Sequence, residues 1–179
     1  MHTRKRMLIV DGYNVIGAWN EPGNIPLTDA REKLINRLHD YAGSSGQKVV
    51  LVFDAYQSDR LQRTEEEMGP LTVVYTRKGE IADSYIERLC DELAKDVDLG
   101  RLELRVATSD STEQTVVFGR GAVRISLREL IFEMNQHKKS SSGYTESRKG
   151  RTTIMEHLPE DVRKKIEEMT GKKSTGKDS

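Results

Sequence analysis

Four aspartates set the chemistry open to this chain. Asp11 ends a short apolar run, Met7-Leu8-Ile9-Val10, and is followed by Gly12-Tyr13-Asn14. Asp54 follows Val52-Phe53 in the same way, and Asp110 follows Ala107-Thr108-Ser109. Asp83 comes instead from the helix-like stretch IADSYIERL, where Glu87, four residues on, shares its face. One strand-end aspartate is ordinarily a turn or cap residue, but recurrence at three strand ends asks for a common cause. Carboxylates are the ligands of a hard divalent cation such as Mg2+ or Mn2+, and a cation between Asp83 and Glu87 would reverse their mutual repulsion. A site of this kind suits phosphodiester hydrolysis: the cation acidifies a water and neutralises charge growing on the phosphate. One ion and two are both compatible with the spacing. Asn14 is placed either to hold a carboxylate or phosphate or to cap a helix, and Thr108 and Ser109 offer hydroxyls to the same phosphate.

These acids need a scaffold that gathers strand ends. Runs rich in β-branched residues predict strands over 7–10, 48–53, 71–76, 103–107 and 122–126. Helical spacing of Ala30, Leu34, Ile35, Leu38, Tyr41 and Ala42 predicts a helix over 29–42, with Thr28 as N-cap and Gly43 just past its end. The same period recurs over 80–96 through Ala82, Tyr85, Ile86, Leu89, Cys90 and Leu93, and helices are expected over 112–118 and 127–137. Alternating strands and helices imply an α/β fold with a mainly parallel sheet, helices on both faces and ligands outside the carboxyl ends of the strands.

The remainder is organised differently. Residues 1–137 are expected to form the domain, 138–158 a flexible basic linker and 172–179 a disordered tail. Between the last two, Pro159, Glu160 and Asp161 at the start and Gly171 as a stop predict a short helix over 159–170, within a 159–171 segment whose Val162, Ile166 and Met169 form an apolar face. The segment 59–68, DRLQRTEEEM, reads as a helix or a mobile loop.

Composition narrows the class. The 179 residues carry 29 basic and 29 acidic side chains, of which 11 and 7 lie in 137–179; that region is net +4 and the rest net −4. Such a split suits a body that holds a cation and a tail that grips a polyanion. Cys90 is the single cysteine, so no disulfide can form within the chain, and no segment approaches a secretory leader or a membrane span. A cytoplasmic protein with no membrane partner is expected; the oligomeric state is open. Gly119-Arg120-Gly121-Ala122 precedes a strand and lacks the dinucleotide fingerprint, Gly171-Lys172-Lys173-Ser174 lies out of context for a phosphate loop, and the four histidines lack zinc-ligand spacing.

The strings IVDGYNVI, VLVFDAY, ADSYIERL and VATSD, in this order, resemble the NYN branch of the PIN-like nuclease superfamily and, more narrowly, the bacterial YacP-like family of small endoribonucleases linked to ribosome-dependent mRNA decay. The resemblance implies a three-layer α/β/α fold, with catalytic acids on Asp11 and Asp83, Asp54 and Asp110 completing the acidic pocket, and Glu87 as a further metal ligand. It also implies mRNA as substrate, cut in the A site of a translating ribosome, with ribosomal RNA as a second partner. Substrate contacts would then include Asn14 and Ser109, with Lys138, Lys139, Arg148, Lys149 and Arg151 pairing phosphates. The alternative is a non-catalytic RNA- or ribosome-binding adaptor on the same fold.

Overall fold

The computed structural model describes residues 3–19, 25–55, 59–109 and 121–149, with side chains to Lys138 in the last segment. The chain divides into two compact units, residues 1–138 and 139–179, and everything that positions Asp11, Asp54 and Asp83 belongs to the first. The described elements run in the order β1 (Lys5–Asp11), α1 (Gly12–Ala18), α2 (Leu27–Ser45), β2 (Lys48–Phe53), β3 (Thr64–Met68), β4 (Leu71–Tyr75), α3 (Ala82–Asp98), β5 (Leu102–Ala107), β6 (Val123–Ile125) and α4 (Leu127–Lys149). The strands form one sheet of order β3-β4-β2-β1-β5-β6, parallel except for the edge strand β3.

Period two explains the layers. Along β2, Val49, Leu51 and Phe53 join the core beneath α1, α2 and α4, while Val50 and Val52 join the core beneath α3. Both faces of the central strands are therefore dry, and such strands read as continuous apolar runs. From β1 the chain moves outward to β2 and β4, then crosses back through α3 to place β5 on the other side of β1. That reversal opens a crevice between the carboxyl ends of β1 and β5. Asp11 pairs in register with Val52 and Val10 with Ala107, so Asp11, Asp54 and Thr108 all emerge at this end of the sheet.

Several boundaries differ from expectation. Helix α2 starts at Leu27 with Pro26 as N-cap, leaving Thr28 inside the first turn. It runs through Gly43 and ends at Gly46, whose φ of 68° takes the left-handed conformation that terminates a helix. The stretch 59–68 is neither helix nor mobile loop throughout: Thr64–Met68 is strand β3, hydrogen-bonded to β4 through a two-residue Gly69-Pro70 turn with Gly69 at φ 62°. Its Glu65-Glu66-Glu67 side chains are exposed, so pairing with β4 and not burial makes it a strand, and its charges discourage further edge pairing.

Helix α4 opens on a reciprocal cap: Ser126 Oγ accepts from the Glu129 N–H at 3.2 Å, and Glu129 Oε2 accepts from the Ser126 N–H at 2.9 Å. The helix continues to Lys149, so the backbone is helical across 138–149 where a flexible linker was expected. The rest of that expected linker, the helix over 112–118, the segment 159–171 and the tail 172–179 lie outside the described residues. No helix among the described residues is long and apolar enough to cross a membrane.

Candidate active site

Asp11 occupies the centre of the sheet's carboxyl edge. It is the last residue of β1 and the N-cap of α1, and it is only 6% exposed. Asn14 supplies two donors to it: the backbone N–H lies 3.4 Å from Oδ1 and the side-chain Nδ2 3.0 Å from Oδ2. The turn that makes this possible needs Gly12. A Cβ there would approach Phe53 Cδ1 to 2.6 Å and Leu51 Cδ1 to 3.1 Å, so α1 can lie this close to β2 only without a side chain. Phe53 is itself fixed between Tyr13 and Tyr75, with ring centroids 5.2 and 5.6 Å away.

Two further carboxylates act on Asp11. Its pKa is pushed up from 3.8 to about 6, first by burial and then by the charges of Asp83 and Asp54 and a hydrogen bond shared with Asp83, while the Asn14 N–H opposes the rise. A buried carboxyl facing two others resists ionisation for these reasons. Asp83 lies half-buried in the first turn of α3. Asp54, just beyond β2, accepts from the Ala82 N–H at 3.4 Å from Oδ2, and its Oδ1 lies 3.5 Å from Thr76 Oγ1. Thr76 has no exposed surface; its hydroxyl donates to the Glu80 carbonyl at 2.8 Å and accepts from the Ala55 N–H at 2.9 Å. The end of β2, the loop after β4 and the start of α3 are thus tied together around Asp54.

The structure therefore brings Asp11, Asp54 and Asp83 into one neighbourhood. Glu87, one turn along α3, is half-buried, but no group of three His, Cys, Asp or Glu among the described residues is set to hold an ion by protein ligands alone. The donors that do converge are all oxygen, and one or two carboxylates completed by water and substrate oxygens is the usual way Mg2+ is held. Asp110 lies outside the described residues, as does Arg151. Thr108 is fully buried and Ser109 exposed, both past the end of β5. Lys138 is exposed; Lys139, Arg148 and Lys149 fall on α4, where only the backbone is described.

Sequence reasoning missed Thr76 and the ion-pair cluster beside it. Glu80, with 8% of its side chain exposed, accepts from Arg63 Nε at 3.2 Å and also bonds Arg63 Nη2 and Arg88 Nη2. Burial alone would raise its pKa, but the two guanidinium groups hold it below the usual carboxylate range. Arg63 and Arg88 both lie over the Tyr85 ring, 4.7 and 5.9 Å from its centroid. The available signal was Thr76-Arg77-Lys78-Gly79-Glu80, a polar loop at the same carboxyl edge as Asp11 and Asp54.

Comparison with known proteins bears on the fold and the family. The family described as "YacP-like NYN domain" matches residues 8–171. A Bacillus subtilis protein named "Uncharacterized protein YacP" is 37% identical over 131 residues, which cover 72% of this chain and 74% of that protein. The crystal structure of Rae1 (YacP) from Bacillus subtilis superposes with a TM-score of 0.67 at 33% identity, covering 92% of this chain and 94% of the other. A crystal structure of a point mutant of that same protein gives the same TM-score of 0.67 at 29% identity, over 92% and 99%. On the strength of this match along almost its whole length, with the mostly parallel α/β sheet it entails, the chain belongs to the YacP-like NYN domain family and carries a nuclease-type fold.

Proposed function

We propose that this protein is a metal-dependent endoribonuclease that cleaves mRNA on the translating ribosome, in the A site, as part of mRNA decay in the cytoplasm. The observation that carries the hydrolytic reading is the buried Asp11 carboxyl held beside Asp83 and near Asp54, with its pKa raised to about 6. Such crowding of acids costs folding free energy unless a cation occupies the space, and active sites are where that cost is tolerated. RNA as substrate and the ribosome as its setting are supported by the family resemblance.

Asp11 and Asp83 would hold the cation, with Asp54 as a nearby third carboxylate; Mg2+ or Mn2+ suits an all-oxygen set. When bound, the ion supplies a more acidic water and positive charge at the phosphate. This chain's own residues supply the rest. Asn14 fixes both oxygens of Asp11, which sets the direction of its lone pairs. The Ala82 N–H holds Asp54, and Thr76 ties together the loops on either side of it. Orientation by hydrogen-bonded neighbours of this kind commonly accounts for one to two orders of magnitude, roughly 10- to 100-fold, in metal affinity or activity.

The test is cleavage of a reporter mRNA by the wild type and by Asp11→Asn and Asp83→Asn, with and without translation. Cleavage by the wild type alone, and only during translation, is the expected result. Equal cleavage by both variants would remove the acids from the mechanism, and no cleavage by any would favour the adaptor reading.

A further inference from the structure

We propose that the open pocket beside the N-terminal turn of α3 binds a backbone phosphate of single-stranded RNA that flanks the scissile one; the proposal rests on the nuclease reading for what the neighbouring acids do. The pocket, about 580 Å3, is lined by Arg77, Lys78, Glu80, Ser84 and Arg88, with Leu61 at its rim. Three cations thus face one concavity, against a single acid whose oxygens are already taken by Arg63 and Arg88.

The cations differ in what they are free to do. Arg88 is held by Glu80 and lies over Tyr85, so one Nη is committed, while Nε and the other Nη make no hydrogen bond among the described residues. A guanidinium fixed in this way loses little freedom on meeting an anion. Arg77 is exposed and has no carboxylate partner among the described residues. Lys78 pairs with Asp59 at 3.3 Å, but both side chains are mostly exposed, 66% and 98%, and a pair so well solvated is readily exchanged for a phosphate. The loop carrying them is not slack: the Glu80 N–H donates to the Arg77 carbonyl at 3.0 Å across a turn with Gly79 at φ 82°.

Position gives the pocket its role. Ser84, in its wall, is the neighbour of Asp83 in the first turn of α3. Glu80, which also lines it, gives its carbonyl to the same Thr76 hydroxyl that lies 3.5 Å from Asp54. A chain whose scissile phosphate lay against Asp11 and Asp83 would therefore run directly into the pocket with its next negative charge. The acids repel a polyanion in the absence of a cation, and a basic subsite alongside them supplies the attraction that seats it.

The experiment uses the full chain carrying Asp11→Asn, which keeps the RNA intact, and a short fluorescein-labelled single-stranded RNA titrated by anisotropy at low and moderate salt. Adding Arg77→Gln and Lys78→Gln is expected to weaken binding about 10-fold or more at low salt and to reduce the salt slope by about one to two. Arg101→Gln, at the opposite end of the sheet, is expected to change neither. Melting curves of the variants verify folding, and both substituted side chains are exposed. Unchanged affinity and slope in the double variant, or no RNA binding by the parent at low salt, would overturn the proposal. Loss of RNA affinity in the double variant, combined with a wild type that cuts no reporter mRNA even during translation, would refute the nuclease reading and leave the subsite standing.

Discussion

Asn14 grips Asp11 from two directions, its backbone N–H reaching Oδ1 at 3.4 Å and its side-chain amide reaching Oδ2 at 3.0 Å. The backbone bond survives any substitution that keeps the helix, so the side chain's share can be isolated. Asn14→Ala is expected to lower cleavage and apparent metal affinity roughly 10- to 100-fold, with a stability change of only about 1 kcal/mol. Steady-state cleavage at varied Mg2+, set beside a thermal melt, separates the two effects. A loss of stability without loss of metal affinity would leave Asn14 only a structural partner of the Asp11 cap.

The Asp11 carboxyl makes a distinct prediction about pH. Its folded pKa of about 6 lies above the ordinary 3.8, so between these values the native state holds a proton that the unfolded chain has lost. Stability then falls as pH rises through that window, by something of the order of 2–3 kcal/mol for a shift of this size. Without divalent cation, Asp11→Asn is expected to melt higher than the wild type at pH 7 and to match it near pH 4. Urea unfolding of both proteins across this range, in EDTA, measures the difference directly. Added Mg2+ should narrow the gap at pH 7, since it stabilises the ionised wild type only.

Thr76→Val tests the support of Asp54. The substitution keeps shape but leaves the Ala55 N–H and the Glu80 carbonyl without their buried partner. A cost of about 1–3 kcal/mol is expected, with cleavage reduced further than stability explains, because the loops on either side of Asp54 lose the hydroxyl that ties them together. Thr76→Ser should restore most of both. Chemical denaturation and cleavage rates on the three proteins decide it.

Gly12→Ala is expected to be worse than its size suggests. The new methyl meets the Phe53 ring and Leu51, and relief requires moving either α1 or a ring fixed between Tyr13 and Tyr75. Overpacking of this kind costs about 1–3 kcal/mol, and here it also shifts Asp11 and Asn14. Paired loss of melting temperature and cleavage is the expected reading; Gly17→Ala, where nothing lies within 4 Å and helix propensity rises, is the control that should lower neither.

Much of this protein was written in its local patterns. The central strands β1 and β2 announce themselves because both faces are buried, so apolar residues run without a break, and α2 and α3 announce themselves through one apolar stripe each. Asp11 and Asp54 were legible as strand-end acids for the same reason: a carboxylate abruptly ends a dry run. What local pattern could not carry was pairing. Strand β3 has no apolar alternation and exists because β4 offers it a hydrogen-bonding edge, and α2 passes Gly43 because the left-handed turn falls at Gly46.

The residue types at the site were thus determined by the sequence, and their relations were not. Asp83 approaches Asp11 only because the chain crosses from β4 to β5 through α3 and so brings a helix start to the mouth of the crevice. Glu80 joins Arg63 and Arg88 across 17 and 8 residues for the same reason. Charge–charge energies depend on distance and burial, which a sequence does not contain; only the folded sheet set them.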